Sequence, residues 1–123
     1  MKTLSKLLVL VMTLTIAAGC GDSNDSGGGN VVDVTTADGI LEFMPADVTV
    51  SVGDTVRFEL TPTHNALEVS EETYDARGIT PLDGGFEVDF GQTGEITFDS
   101  PGVHYYVCTP HVSADMIGTI TVR

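Results

Sequence analysis

Residues 48–60 read Val-Thr-Val-Ser-Val-Gly-Asp-Thr-Val-Arg-Phe-Glu-Leu. Val48, Val50 and Val52 alternate with Thr49 and Ser51. After Gly53-Asp54, Val56, Phe58 and Leu60 alternate with Arg57 and Glu59. Successive side chains of a strand point to opposite faces, so this period-two pattern predicts two half-buried strands joined by a turn at Gly53-Asp54. The same grammar extends outward from Val31. Ile96 and Phe98 precede a Pro101-Gly102 turn, Val103 to Cys108 is rich in β-branched and aromatic residues, and Ile117, Ile120 and Val122 close the chain. No stretch shows sustained helical periodicity. Glu71 to Gly85 is punctuated by Gly and Asp and predicts a long loop with a short helical turn. Short strands at this spacing predict an all-β fold, a β-sandwich over residues 31–123.

The 123 residues hold eighteen Asp and Glu against five Lys and Arg, a net charge of −13. All the acids lie from Asp22 onward, whereas Lys2 and Lys6 stand at the N-terminus. From residue 20 on, three arginines face eighteen carboxylates, a net −15. Such a surface repels phosphate backbones, which excludes nucleic acid as a partner, and it favours cations or basic proteins. Met1 to Lys6 is basic and Leu7 to Ala18 is apolar, a run too short to span a bilayer but suited to an export signal. It ends in Ala17-Ala18-Gly19-Cys20, which resembles the bacterial lipoprotein cleavage box, although that box usually carries Leu where Ala17 stands. The expectation is a lipoprotein-type signal peptide over 1–19, a lipidated Cys20 and a flexible linker over 20–30 (GDSNDSGGGN from Gly21). Ordinary cleavage after the small residues, leaving Cys20 as a stray thiol, is the alternative. The first reading predicts an exported protein, periplasmic or at the cell surface, held to a membrane by its lipid.

With Cys20 so used, Cys108 is a lone thiol, and its surroundings explain it. Cys108-Thr109-Pro110-His111-Val112-Ser113-Ala114-Asp115-Met116 puts one thiol, one imidazole and one thioether in nine residues, and Thr63-His64-Asn65 stands upstream. Taken singly, Met116 reads as well as a core methionine beside Ile117, His64 as an ordinary strand histidine, and Cys108 as an inert buried thiol. Taken together, two His, one Cys and one Met are the donor set of a trigonal copper site with a weak axial thioether. Thiolate and thioether suit Cu(I), and imidazole suits both oxidation states. A structural zinc site takes four Cys or His ligands, and Met is a poor zinc donor.

Here the sequence resembles the cupredoxins, plastocyanin and pseudoazurin in particular. Their ligand loop has the same Cys-x2-His-x4-Met spacing, with a His-Asn upstream. The resemblance runs over about residues 40 to 123. Phe43-Met44-Pro45, Val48-Thr49-Val50 and Val52 to Val56 are similar to the family's opening strands, and Gly118 to Val122 to its closing strand. The resemblance implies a Greek-key β-sandwich and a one-electron carrier with a single type 1 (blue) copper and no bond-making chemistry. A copper enzyme would need further His ligands, and only His104 is left over, so no enzyme activity is expected. His64, Cys108 and His111 would be the equatorial ligands and Met116 the axial one. Asn65 would hydrogen-bond toward the Cys-bearing loop, with Thr109 assisting and Pro110 stiffening it. His111 would present its ring edge to solvent in an apolar patch rimmed by Pro110 and Val112. Some relatives carry Tyr immediately before the Cys as a lateral route; Val107 stands there instead. Redox proteins, a c-type cytochrome or a membrane oxidoreductase, would be the partners of a monomer. Copper storage or delivery is the competing function, but the chain lacks the Met-rich or His-rich clusters that function usually shows. Two readings of the acids remain open: Glu68, Glu71, Glu72, Asp75, Asp83, Glu87 and Asp89 form a docking patch for a basic partner, or the whole surface is evenly acidic. His104 fits no ligand position and reads as structural.

Overall fold

The structure, a computed structural model, describes residues 29–123. The predicted signal segment, Cys20 and the linker as far as residue 28 lie outside the described residues. Nine strands follow in order: β1 (Val31–Ala37), β2 (Ile40–Met44), β3 (Asp47–Val50), β4 (Thr55–Glu59), β5 (Ala66–Val69), β6 (Glu87–Val88), β7 (Thr93–Thr97), β8 (Gly102–Val107) and β9 (Ile117–Val122). They form two sheets, β2-β1-β4-β7 and β3-β9-β8-β5-β6. β1 runs parallel to β4 and β3 parallel to β9; the other pairings are antiparallel. This is the β-sandwich expected from the alternating pattern.

The turn at Gly53-Asp54 forms as predicted, with Asp54 N–H donating to the Ser51 carbonyl at 3.0 Å. The strands it joins do not pair with each other, however. β3 lies in one sheet and β4 in the other, so the turn is a corner between sheets. Gly53 takes φ +95°, a conformation open to glycine at no steric cost. The corner lifts Val52 off the buried face and leaves it 45% exposed, against the alternation that grouped it with Val48 and Val50. Beneath the corner sits the buried Asp54 carboxylate, which accepts from Ser51 N–H at 2.8 Å and Asn30 N–H at 2.9 Å. A buried charge is tolerated when its oxygens find such donors.

Between the sheets Val34, Val50, Val56, Phe58, Ile120 and Val122 pack around Tyr106, whose ring meets Phe43 and Phe58 edge-on at 4.8 and 5.1 Å. The Tyr106 hydroxyl donates to the Ala46 carbonyl at 2.8 Å. A second apolar cluster lies on the other face of the five-stranded sheet, where Leu67, Val69, Val107 and Val112 are buried with Tyr74, Tyr105 and Ile117 against them. Its cover is the short helix α1 (Glu71–Asp75), the helical turn expected in the central segment. Ser70 caps it by accepting from Thr73 N–H at 3.1 Å. β5 is therefore covered on both sides: Ala66 belongs to the inner core, Leu67 and Val69 to the outer cluster.

Candidate metal centre

His64 stands in the connection from β4 to β5, with its N–H on the Thr61 carbonyl at 3.0 Å and its side chain 1% exposed. Its Nε2 lies 3.2 Å from the carbonyl of Ala37, at the end of β1. A carbonyl only accepts, so Nε2 carries the hydrogen and the Nδ1 lone pair faces inward. There it meets two donors from the loop between β8 and β9: His111 Nδ1 at 3.2 Å and Cys108 Sγ at 3.7 Å, which are themselves 3.4 Å apart. Three atoms at these separations surround a point about 2 Å from each, close to the length of a bond from imidazole nitrogen to a first-row metal. One bare imidazole lone pair, a second ring nitrogen and a buried sulfur thus fit a soft, borderline metal ion.

The loop holding Cys108 and His111 is built mostly by its own backbone. His111 N–H donates to the Cys108 carbonyl at 3.1 Å, Met116 N–H to the His111 carbonyl at 3.3 Å, and Cys108 N–H to the Met116 carbonyl at 3.0 Å. A single 3-10 turn, Val112–Ala114, fills the interval. Met116 is fully buried beside Cys108 in the core cluster. Asn65 ties this loop to the His64 segment, its Oδ1 accepting from Thr109 N–H at 2.8 Å and Thr109 hydroxyl at 3.3 Å. Burial pushes the Cys108 thiol above its usual value, with the nearby backbone N–H groups of Asn65 and His111 opposing that rise. Without a metal the thiol therefore keeps its proton at neutral pH.

The structure brings together His64, Cys108 and His111 through their donor atoms, and Asn65 with Thr109 through hydrogen bonds. Met116 is placed in the same buried loop, and Pro110 lies exposed between Thr109 and His111. Two expectations are corrected. Val112 is not a rim residue: it is 7% exposed and packs with Leu67 and Val107 behind the sheet. Glu68 does not belong to a surface patch, since it is buried, accepting from Phe86 N–H at 2.9 Å and from His104 Nδ1 at 2.6 Å. His104 is thereby paired with the buried Glu68, its ring against Phe98 at 4.6 Å. Sequence reasoning gave no sign of the Ala37 carbonyl, because a backbone acceptor has no side-chain signature beyond the Asp38-Gly39 turn that follows it.

The family model for copper binding proteins of the plastocyanin/azurin family matches residues 30–123. The chain belongs to the cupredoxins. Copper is accordingly its cofactor, in agreement with the donor set above. Halocyanin of Natronomonas pharaonis is 36% identical to this cupredoxin over 108 residues, covering 84% of the chain and 63% of the relative. The minor plastocyanin isoform of Arabidopsis thaliana is 32% identical over 91 residues, covering 70% of the chain and 53% of the relative. The chain thus spans between half and two thirds of the length of these curated relatives. Among solved structures, pseudoazurin from Methylobacterium extorquens superposes with a TM-score of 0.56 at 28% identity, over 76% of this chain and 75% of that one. Plastocyanin from Dryopteris crassirhizoma gives 0.54 at 27%, over 75% of this chain and all of that one.

Proposed function

We propose that this cupredoxin carries single electrons between redox proteins, and that His64, Cys108, His111 and Met116 would hold its copper. The observation that carries the reading is the triangle of Nδ1, Nδ1 and Sγ atoms at 3.2, 3.4 and 3.7 Å. Bound copper supplies the one-electron change between Cu(II) and Cu(I). The chain's part is to keep the donors still while that happens. The Ala37 carbonyl fixes the His64 ring, Asn65 fixes the loop at Thr109, and the loop's own hydrogen bonds fix the rest. Donors that move little between the two states keep the reorganisation barrier low. The apolar surroundings of the buried Cys108 and Met116 would favour the less charged, reduced form of a bound copper ion. His111, half-buried, offers the ring edge by which electrons enter and leave. Val107, by contrast, is fully buried beneath α1, and no lateral aromatic route starts from it. A basic c-type cytochrome or a membrane oxidoreductase suits the acidic exterior as partner.

The test is the visible spectrum of the copper-loaded, oxidised protein, where an intense blue thiolate-to-copper band is expected. Cys108→Ser should abolish that band, and a band that survives the substitution rejects the ligand set. No helix among the described residues is long and apolar enough to cross a membrane. We place the protein outside the cytoplasm, anchored by lipid on Cys20 and monomeric at the end of its linker. Replacing Cys20 by Ala should move it from the membrane fraction into the soluble fraction. Retention on the membrane would count against the anchor.

A further inference from the structure

The ligand loop is fastened from outside at both ends. Near Cys108 the fastening is Asn65. Near Met116 it is Arg77, whose Nε donates to Asp115 Oδ1 at 2.7 Å. Arg77 is itself anchored: Nη1 donates to the Tyr74 carbonyl at 2.8 Å, and the guanidinium lies 5.5 Å from the Tyr74 ring centre. That ring in turn packs 5.0 Å from Tyr105 on β8. A chain of contacts therefore runs from the sheet through Tyr105, Tyr74, Arg77 and Asp115 to the backbone of Met116.

Both members of the ion pair hold left-handed backbone conformations, Arg77 at φ +56° and Asp115 at φ +62°. Such angles are uncommon outside glycine and need support from their surroundings. Asp115 has further support from its own backbone, its N–H donating to the Val112 carbonyl and its carbonyl accepting from Ile117 N–H, both at 3.0 Å. It is also the one charged residue between Cys108 and Met116, and Arg77 is one of three cations from residue 20 onward. The comparable cation, Arg57, serves Asp33, Glu59 and Glu95 on the other sheet. An ion pair this exposed contributes little to folding. Its placement beside Met116 points instead to the metal.

We propose that Arg77 is a positioning residue for the axial side of the copper centre: by holding Asp115 it fixes the backbone that carries Met116 and offsets the one carboxylate of the ligand loop. The inference rests on Met116 as axial ligand. A long, weak axial contact is the one through which sites of this kind tune their reduction potential, so it responds to small movements of the loop. An uncompensated carboxylate beside the site would favour the more positive, oxidised state.

The experiment compares four variants of the copper-loaded full chain by reduction potential and by the intensity ratio of the copper bands. Arg77→Gln is expected to lower the potential and change the ratio, and Arg77→Lys to restore most of both. Asp115→Asn removes the same ion pair from its other end while keeping a residue suited to the left-handed conformation. It should change the same ratio but raise the potential. Arg57→Gln loses an equal charge from the other sheet and should leave both readouts unchanged. The proposal is overturned if Arg77→Gln and Asp115→Asn match the parent protein in both readouts, or if Arg57→Gln shifts them as much. A parent protein without the blue band would reject the copper-site assignment itself, before any variant is compared.

Discussion

Asn65 joins the segment of His64 to the loop of Cys108 and His111 through one oxygen, which accepts from both the N–H and the hydroxyl of Thr109. Asn65→Ala leaves that N–H without its partner in a half-buried setting, a loss of about 1–3 kcal/mol. The expected outcome is a lower melting temperature for the metal-free protein and faster loss of copper to a chelator. Thermal melts and chelator-competition rates check both, and an unchanged off-rate would show that the loop holds itself. At this scale the sequence was most informative. Cys108, His111 and Met116 lie close enough in the chain for their spacing to be read directly, and His64 is fixed to them by the neighbouring Asn65. What could not be read were groups whose role depends on an unseen partner. The Ala37 carbonyl has no side-chain signature, and Arg77 is separated by 38 residues from the Asp115 it holds.

Gly118 on β9 shows how one element fixes another. A Cβ there would lie 2.3 Å from the Ala46 carbonyl oxygen and from both Cζ and the hydroxyl of Tyr106. The absent side chain is what lets the Tyr106 ring lie across β9 and reach Ala46 at 2.8 Å. Gly118→Ala should therefore cost about 3 kcal/mol or more, since neither backbone nor a ring locked between Phe43 and Phe58 yields cheaply. Chemical denaturation of the metal-free protein measures it, and a cost below about 1 kcal/mol would mean that the ring moves freely. Strand identity was legible at this level because alternation survives whenever one face is buried: Val56, Phe58 and Leu60 are all inside. Strand pairing was not. The pattern at residues 48–60 marks two strands and a turn equally well for a hairpin and for a corner between sheets. Only long-range partners, β9 for β3 and β1 with β7 for β4, decide which. β5 escaped for a different reason. Burial on both faces erases alternation, so Glu68 read as a surface acid when it is an interior group satisfied by Phe86 and His104.

Charge is a property of the whole molecule. With Glu68 turned inward, the exposed acids of the central segment are Glu71, Glu72, Asp75, Asp83, Glu87 and Asp89. Exposed carboxylates also stand on Asp33, Asp38, Glu42, Glu59, Glu95 and Asp99, on strands and turns elsewhere in the chain. Acids spread in this way fit an evenly charged exterior better than a single docking face. Arg57 and Arg77 are each held by neighbouring acids, so little positive charge is left to oppose the rest. Mutual repulsion among so many like charges disfavours the compact state, and mobile ions weaken it beyond about 8–10 Å at ordinary ionic strength. The melting temperature should accordingly rise steadily with added sodium chloride, for the metal-free and the copper-loaded protein alike. The few ion pairs present work against that trend, but exposed pairs contribute only about 0–1 kcal/mol each. Repulsion, summed over many carboxylates, is the larger effect. A melting temperature that stayed level or fell between low and molar salt would mean that the attractive pairs dominate and that the acids tolerate one another without screening.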